Sequence, residues 1–286
     1  MNTLAYDPIQ QHTAHKGAGT SITVRHMDLK FSDDTPEFWF ANNPLLTAFF
    51  TAFSCSFPEG ERQFIHSVRH FQDRIKDPEL SLQIRAFIGQ EAHHGKEHDA
   101  LNEMMRRKGY SVDRIYNRFK KMNRLLRDNF SPARQLAATV CMEHITAIMA
   151  DYFLRIAPES QNLIAHGEMR KLWVWHSIEE SEHKAVAFDV YQTAINRRWL
   201  LRYVMVETTI VAFRGTMEML RDSGHSRDLK SWRQGLGYLS GMLGSIRKPY
   251  SDFFRKDFHP WQHDNTAEMN HFKQVYQIDV PPVLMN

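Results

Sequence analysis

Residues 175 to 184, Trp-His-Ser-Ile-Glu-Glu-Ser-Glu-His-Lys, carry the densest set of chemically capable side chains in the sequence. On an α-helix, at roughly 100° per residue, His176, Glu180 and His183 fall within about 60° of one another. Glu179 and Glu182 are predicted to turn away from that face, by roughly 100° and 160° from Glu180. Two neutral imidazoles and a carboxylate on one stripe offer lone pairs without protons, which is half of a dinuclear metal site.

The other half must come from other helices. Glu91 and His94 form a second Glu-x-x-His, Glu143 lies on an apolar stretch, and Glu59 or Glu61 stands near the first helix. Glu61 is preferred because it opens an uninterrupted amphipathic run. The order is then Glu, Glu-x-x-His, Glu, Glu-x-x-His, the inventory with which four-helix carboxylate bundles hold two metal ions. Glu61 to Glu91 and Glu143 to Glu180 each span about one helix and a turn, and the longer gap between Glu91 and Glu143 suits a crossover with its own helix. Composition alone would supply about one Glu-x-x-His. The sequence has three, and the third, Glu268 with His271, sits in a polar tail and is read as accidental.

Burial gives a second argument. Glu143 is surrounded by Ala138, Val140, Met142, Ala147 and Met149. A carboxylate there is costly unless a cation, an arginine or His144 compensates it. His98 lies about two turns beyond Glu91, roughly 10 Å along the stripe, and is assigned a supporting or pocket role. His93 and Glu97 point off the ligand face, toward solvent or a hydrogen-bond partner, and Cys141 reads as core.

These groups need helices. Residues 1–42 read as an arm. A helix is predicted from Pro44, interrupted at Phe57–Glu61 and resumed toward Ile75. Further helices run from Asp77-Pro78 to about Arg107, over 111–127, from Ser131-Pro132 to about Ile156, and, after a turn at Pro158-Glu159-Ser160, as one long helix over 161–196. Helices over 197–222 and 226–247 and an irregular aromatic tail follow. The expectation is an all-α protein: a metal-binding four-helix bundle over 43–196 with a crossover helix, and additional helices and tail over 197–286 packed on the same domain.

With 286 residues, 42% of them hydrophobic, the chain can bury a full core. A net charge of +3 and no basic run interleaved with aromatics disfavour nucleic acid. Two cysteines and a polar N-terminus without an apolar segment suit a reduced, cytoplasmic protein. The most apolar run, Leu200 to Phe213, is broken by Arg202 and Glu207 and is shorter than the ~20 residues of a transmembrane segment.

The ligand order resembles that of the ferritin-like di-iron carboxylate proteins. His176, one turn before Glu180, is similar to the added ligand of the p-aminobenzoate N-oxygenase type. Phe-Pro-x-Gly-Glu at 57–61, Gln-Glu-x-His-His at 90–94 and Phe-His-Pro-Trp at 258–261 resemble a bacterial family labelled "predicted metal-dependent hydrolase", over roughly residues 40 to 265. The resemblance implies metal ligands at Glu61, Glu91, His94, Glu143, His176, Glu180 and His183. Gln90 departs from the pattern, since a carboxylate often precedes the first Glu-x-x-His, and what orients His94 is left open. The implied function is a di-iron oxygenase or oxidase that uses O2 and an electron donor to oxidise a small, largely apolar substrate. Two iron ions are expected, with manganese or a mixed pair compatible. The alternatives are a hydrolase, with zinc or a similar ion activating water, and a non-catalytic metal- or oxygen-binding protein. His98, Met205, Phe213, Met217 and Trp261 are the expected pocket lining, and the apolar helix after residue 197 is available to a homodimer.

Overall fold

The computed structural model describes residues 22–222 and 229–278, without the side chains at 156–161, 211–216, 218–220 and 222. It is helical throughout, as the periodicity requires. Helix α1 spans Pro44–Gln72, with the Asn43 side chain accepting from the Leu46 amide. Helix α2 spans Pro78–Arg107; Asp77 caps it by accepting from Glu79 and Leu80, and Gly109 follows at φ +88°. Then come α3 (Val112–Asn129), α4 (Pro132–Leu163), α5 (Gly167–His183), α6 (Val186–Ala194), α7 (Arg198–Asp222), α8 (Leu229–Asp252) and α9 (Thr266–Val275). The described residues contain no strand, only one isolated bridge between Phe40 and Ile164.

Four expectations about helix ends are corrected. Helix α1 is not interrupted at Pro58. Proline lacks the N–H that would bond the Ser54 carbonyl, and the Asn102 side chain donates to that carbonyl instead, at 3.0 Å. Helix α4 passes Pro158 and stops at Leu163, whose carbonyl accepts from the Ala41 amide at 2.6 Å. The long helix expected over 161–196 is two helices. At the break the buried Lys184 ammonium donates to the His263 carbonyl and to Asn265 Oδ1, at 2.6 and 2.8 Å. Finally, α8 continues through Pro249, and the tail holds α9, which buries Met269 and Phe272.

The core has two apolar halves with a polar layer between them. On α1, residues 45–57 belong to one half and 64–71 to the other; on α2, 101–105 and 80–87; on α4, 153–154 and 136–141. Helix α5 contributes 169–178 to the first half, and α6 contributes 186–191 to the second. Glu61, Glu91, Glu143 and Glu180 fall in the gap on each helix. The sequence places them at one height because the helices are long and antiparallel neighbours return to the same level.

Candidate metal centre

Glu61 projects from α1, Glu91 and His94 from α2, Glu143 from α4, and His176, Glu180 and His183 from α5. None is more than 3% exposed. The structure brings all seven together as three overlapping groups: Glu61–His94–His176, Glu91–Glu143–His183 and Glu91–His94–Glu180. In each group the potential ligand atoms lie within 4.8 Å of one another. Glu59, the alternative to Glu61, instead pairs with Arg62 at 2.5 Å. Close approach of α1 and α2 depends on Gly95, where a Cβ would stand 3.0 Å from Glu61 Oε2.

The cluster has lone pairs and too few protons. His183 Nε2 lies 3.1 Å from Glu91 Oε1 and 3.4 Å from Glu143 Oε2. Glu180 Oε1 lies 3.0 Å from His176 Nε2, 3.7 Å from His94 Nδ1 and 3.6 Å from His183 Nε2. Both oxygens of Glu61, Glu91 and Glu143, together with His94 Nδ1 and His183 Nε2, have no hydrogen-bond partner. Burial, and then neighbouring carboxylates, pushes the carboxyls of Glu61, Glu91 and Glu143 well above the usual range. Glu180 differs: burial opposes its charge, but His183 and His176 outweigh burial and hold it low. Burial and the neighbouring His176 keep His94 and His98 well below the ordinary imidazole range, and so neutral. Buried orphan acceptors of this kind are costly, and cations at the centre would satisfy all of them. The residues present fit a pair of metal ions.

The surrounding hydrogen bonds set which nitrogen faces inward. Gln90 Nε2 donates to Glu182 and to the Thr23 carbonyl, so its Oε1 is the acceptor for His183 Nδ1 at 2.8 Å. His183 therefore turns Nε2 toward the cluster. A second chain begins at Asn102, whose amide nitrogen donates to the Ser54 carbonyl, leaving its oxygen to accept from Ser54 Oγ at 2.8 Å. Ser54 Oγ then accepts from His98 Nδ1 at 2.9 Å, and His98 Nε2 accepts from His176 Nδ1 at 2.6 Å. His176 thereby turns Nε2 toward the cluster, 3.0 Å from Glu180 Oε1. His98 is a supporting residue, and the Gln90 departure is explained: an amide orients His183, while His94 Nε2 faces Glu179 Oε2 at 3.0 Å.

Glu179 and Glu182 do not turn toward solvent. Both are buried and share Arg25, whose guanidinium meets Glu179 at 2.8 Å and Glu182 at 2.7 Å. Burial pushes the Glu179 carboxyl up to about 8, against the pull of Arg25 and the Trp175 indole. A helical-wheel angle gives direction from one axis only. Helix α5 is buried on all sides from Leu172 to His183, so a residue pointing away from the metal cluster points into other protein, here the arm and also α9, whose Lys273 meets Glu182 at 2.5 Å. Glu97 also serves the arm, accepting from the Asp28 and Leu29 amides, and His93 stacks edge-on against His26. Nothing in the pattern around Arg25 marks it as a buried partner.

A cavity of about 400 Å³ opens between α1, α3, α4 and α7, lined mainly by apolar side chains such as Phe53, Phe57, Phe64, Phe119, Met142 and Val204. A smaller one of about 40 Å³ is lined by His176 and Glu180 and shares Phe53, Phe57 and Thr146 with the first. Thr146 also donates to Glu180 Oε2. The smaller cavity thus touches the cluster, and shared side chains stand between it and the larger one. Three of the residues expected to line a pocket, Met205, Met217 and Trp261, are not among the side chains that line these two cavities. Met205 is fully buried in the core, where α7 turns Val204, Glu207 and Thr208 to the cavity instead. Met217 is exposed, Trp261 lies over the Lys184 ammonium at 4.2 Å, and the Phe213 side chain is outside the described residues. Apolar character alone did not separate core from cavity wall, because both are apolar.

Residues 23–264 match the model of a protein family described as "predicted metal-dependent hydrolase". The chain belongs to that family. Comparison with curated proteins and with solved structures found no match. Membership in the metal-dependent hydrolase family agrees with the buried Glu and His groups, and its wording favours the hydrolytic alternative over the oxidative expectation. It names no metal. Among the described residues, no helix is long and apolar enough to cross a membrane.

Proposed function

We propose that this member of the metal-dependent hydrolase family is an enzyme with a dinuclear metal centre acting on a small apolar substrate held in the cavity. Glu61, His94 and His176 would hold one ion; Glu91, Glu143 and His183 would hold the other; and Glu180 would lie between them. The observation that carries this reading is the set of seven buried Glu and His side chains, five of them with unpartnered polar atoms, beside a small cavity that His176 and Glu180 line.

Such a pair of ions, when bound, supplies either electrons for reaction with O2 or a Lewis-acidic site that activates water. Our preferred chemistry is oxidation of the substrate by O2 at an iron pair of the ferritin-like kind, with electrons from an external donor. Four carboxylates suit iron or manganese in higher oxidation states, and the apolar walls select a substrate with little polarity. The chain's own residues orient and shield: His98 and Gln90 fix the histidine tautomers, Thr146 holds Glu180, and Phe53 and Phe57 limit water between cavity and cluster. Hydrolysis is the second reading, favoured by the family's description.

One experiment separates them. Protein expressed with iron is analysed for metal, reduced without oxygen and mixed rapidly with O2. About two irons per chain, the loading of a two-metal carboxylate bundle, and a transient visible absorbance support oxidation. Bound zinc with oxygen-independent cleavage of apolar esters supports hydrolysis and sinks oxidation. No bound metal of any kind sinks both.

A further inference from the structure

Two outward helix faces are largely uncovered by the described residues and are not used by the site. On α7, Trp199, Tyr203, Val206, Ile210 and Met217 recur at spacings of three, four and seven and are each at least 41% exposed. That spacing puts them on one stripe. On α8, Leu229, Leu236 and Leu243 recur every seven residues, 47 to 80% exposed, with the exposed Arg233 and Arg247 on the same line. Apolar stripes this long are uncommon on the surface of a protein that meets only water.

Charge indicates what covers them. Residues 197 to 248 hold ten Lys and Arg against four Asp and Glu, whereas the whole chain carries only +3. Within α7 and α8 themselves the count is eight against four, a net +4, so the remainder of the chain is close to neutral. Arg202 on α7 and Lys230, Arg233, Arg247 and Lys248 on α8 are all exposed. A second copy packed on this face would bring the basic helix α8 against its own like charge. An anionic surface has no such conflict. Leucine, tryptophan and tyrosine enter the boundary between headgroups and acyl chains while arginine and lysine meet phosphate.

We propose that α7 and α8 dock this protein on an anionic lipid bilayer surface, lying on it and not crossing it. The α7 stripe is adjacent to the face of the same helix whose Val204, Glu207 and Thr208 line the large cavity. Docking would therefore put the cavity wall beside the source of apolar molecules. The docking itself does not rest on the proposed reaction and is tested without it.

The full chain is incubated with vesicles of phosphatidylcholine alone or of equimolar phosphatidylcholine and phosphatidylglycerol, and bound protein is measured by flotation. Each basic residue near an anionic surface contributes about a fivefold gain, so binding at least about tenfold tighter to the anionic vesicles is expected, weakening as salt is raised. The double variant V206E/I210E should lower binding about tenfold. R233E/R247E, which disturbs no apolar contact, should do the same and keeps the test open if the first variant misfolds by circular dichroism. Equal or absent binding to both vesicle types overturns the proposal. So does sedimentation showing a dimer in the absence of lipid that either variant converts to a monomer.

Discussion

The same four-residue pattern, Glu-x-x-His, occurs on α2, α5 and α9 with different outcomes. On α2 and α5 both side chains are buried and each helix presents a glutamate and an imidazole to the same centre; Glu91 lacks any donor, and Glu180 is held by Thr146. On α9, Glu268 accepts from Arg155 at 2.6 Å, and among the described residues neither Glu268 nor His271 belongs to a cluster of potential ligands. Spacing on one helix makes half a site. What makes it a site is a second helix that supplies the complementary half and an apolar surround that removes water and competing partners.

That contrast can be broken most strongly at the centre. Glu180→Ala should abolish tight metal binding, seen as metal content falling from about two ions per chain to below one, with loss of activity. In chelated protein the three carboxyls with raised values make stability fall as pH rises. Their folded values lie above the unfolded value of about 4.3, so the folded state binds more protons from there upward. Metal-loaded protein should show the opposite slope, because metal competes with those protons. Thermal melts from acid to neutral pH, with and without chelator, check this, and parallel slopes would count against a metal centre.

Smaller effects sharpen the comparison. Gln90→Ala removes the acceptor that fixes the His183 tautomer and should weaken metal affinity by about 10- to 100-fold with little change in helicity, as isothermal titration would read. Gly95→Ala places a methyl against Glu61 and should cost about 1–3 kcal/mol of stability by overpacking, with weaker occupancy of the ion nearest Glu61. Least of all, Glu268→Ala should leave metal content and activity unchanged and cost under about 1 kcal/mol, since its pair with Arg155 is partly solvated. A large loss of metal there would show that the third Glu-x-x-His is not accidental.

The seven groups were legible because helical spacing and chain order are properties of the sequence. A period of 3.6 residues puts His176, Glu180 and His183 on one face whatever surrounds them, and long antiparallel helices bring Glu61, Glu91 and Glu143 to their level. The all-α class followed from the same periodicity. Four other features were decided only by tertiary structure. Pro58 did not break α1, because Asn102 from α2 replaced the missing bond. Glu179 and Glu182 became buried partners of Arg25, because the arm covers α5. His98 joined His176 to Ser54, although they lie on three helices. Val204, and not Met205, faces the cavity, because the rotation of α7 against α4 is set by packing. Local periodicity fixes direction from a single helix axis. Partners and walls depend on how several axes meet, and that is determined by burial and hydrogen bonding across elements far apart in the chain.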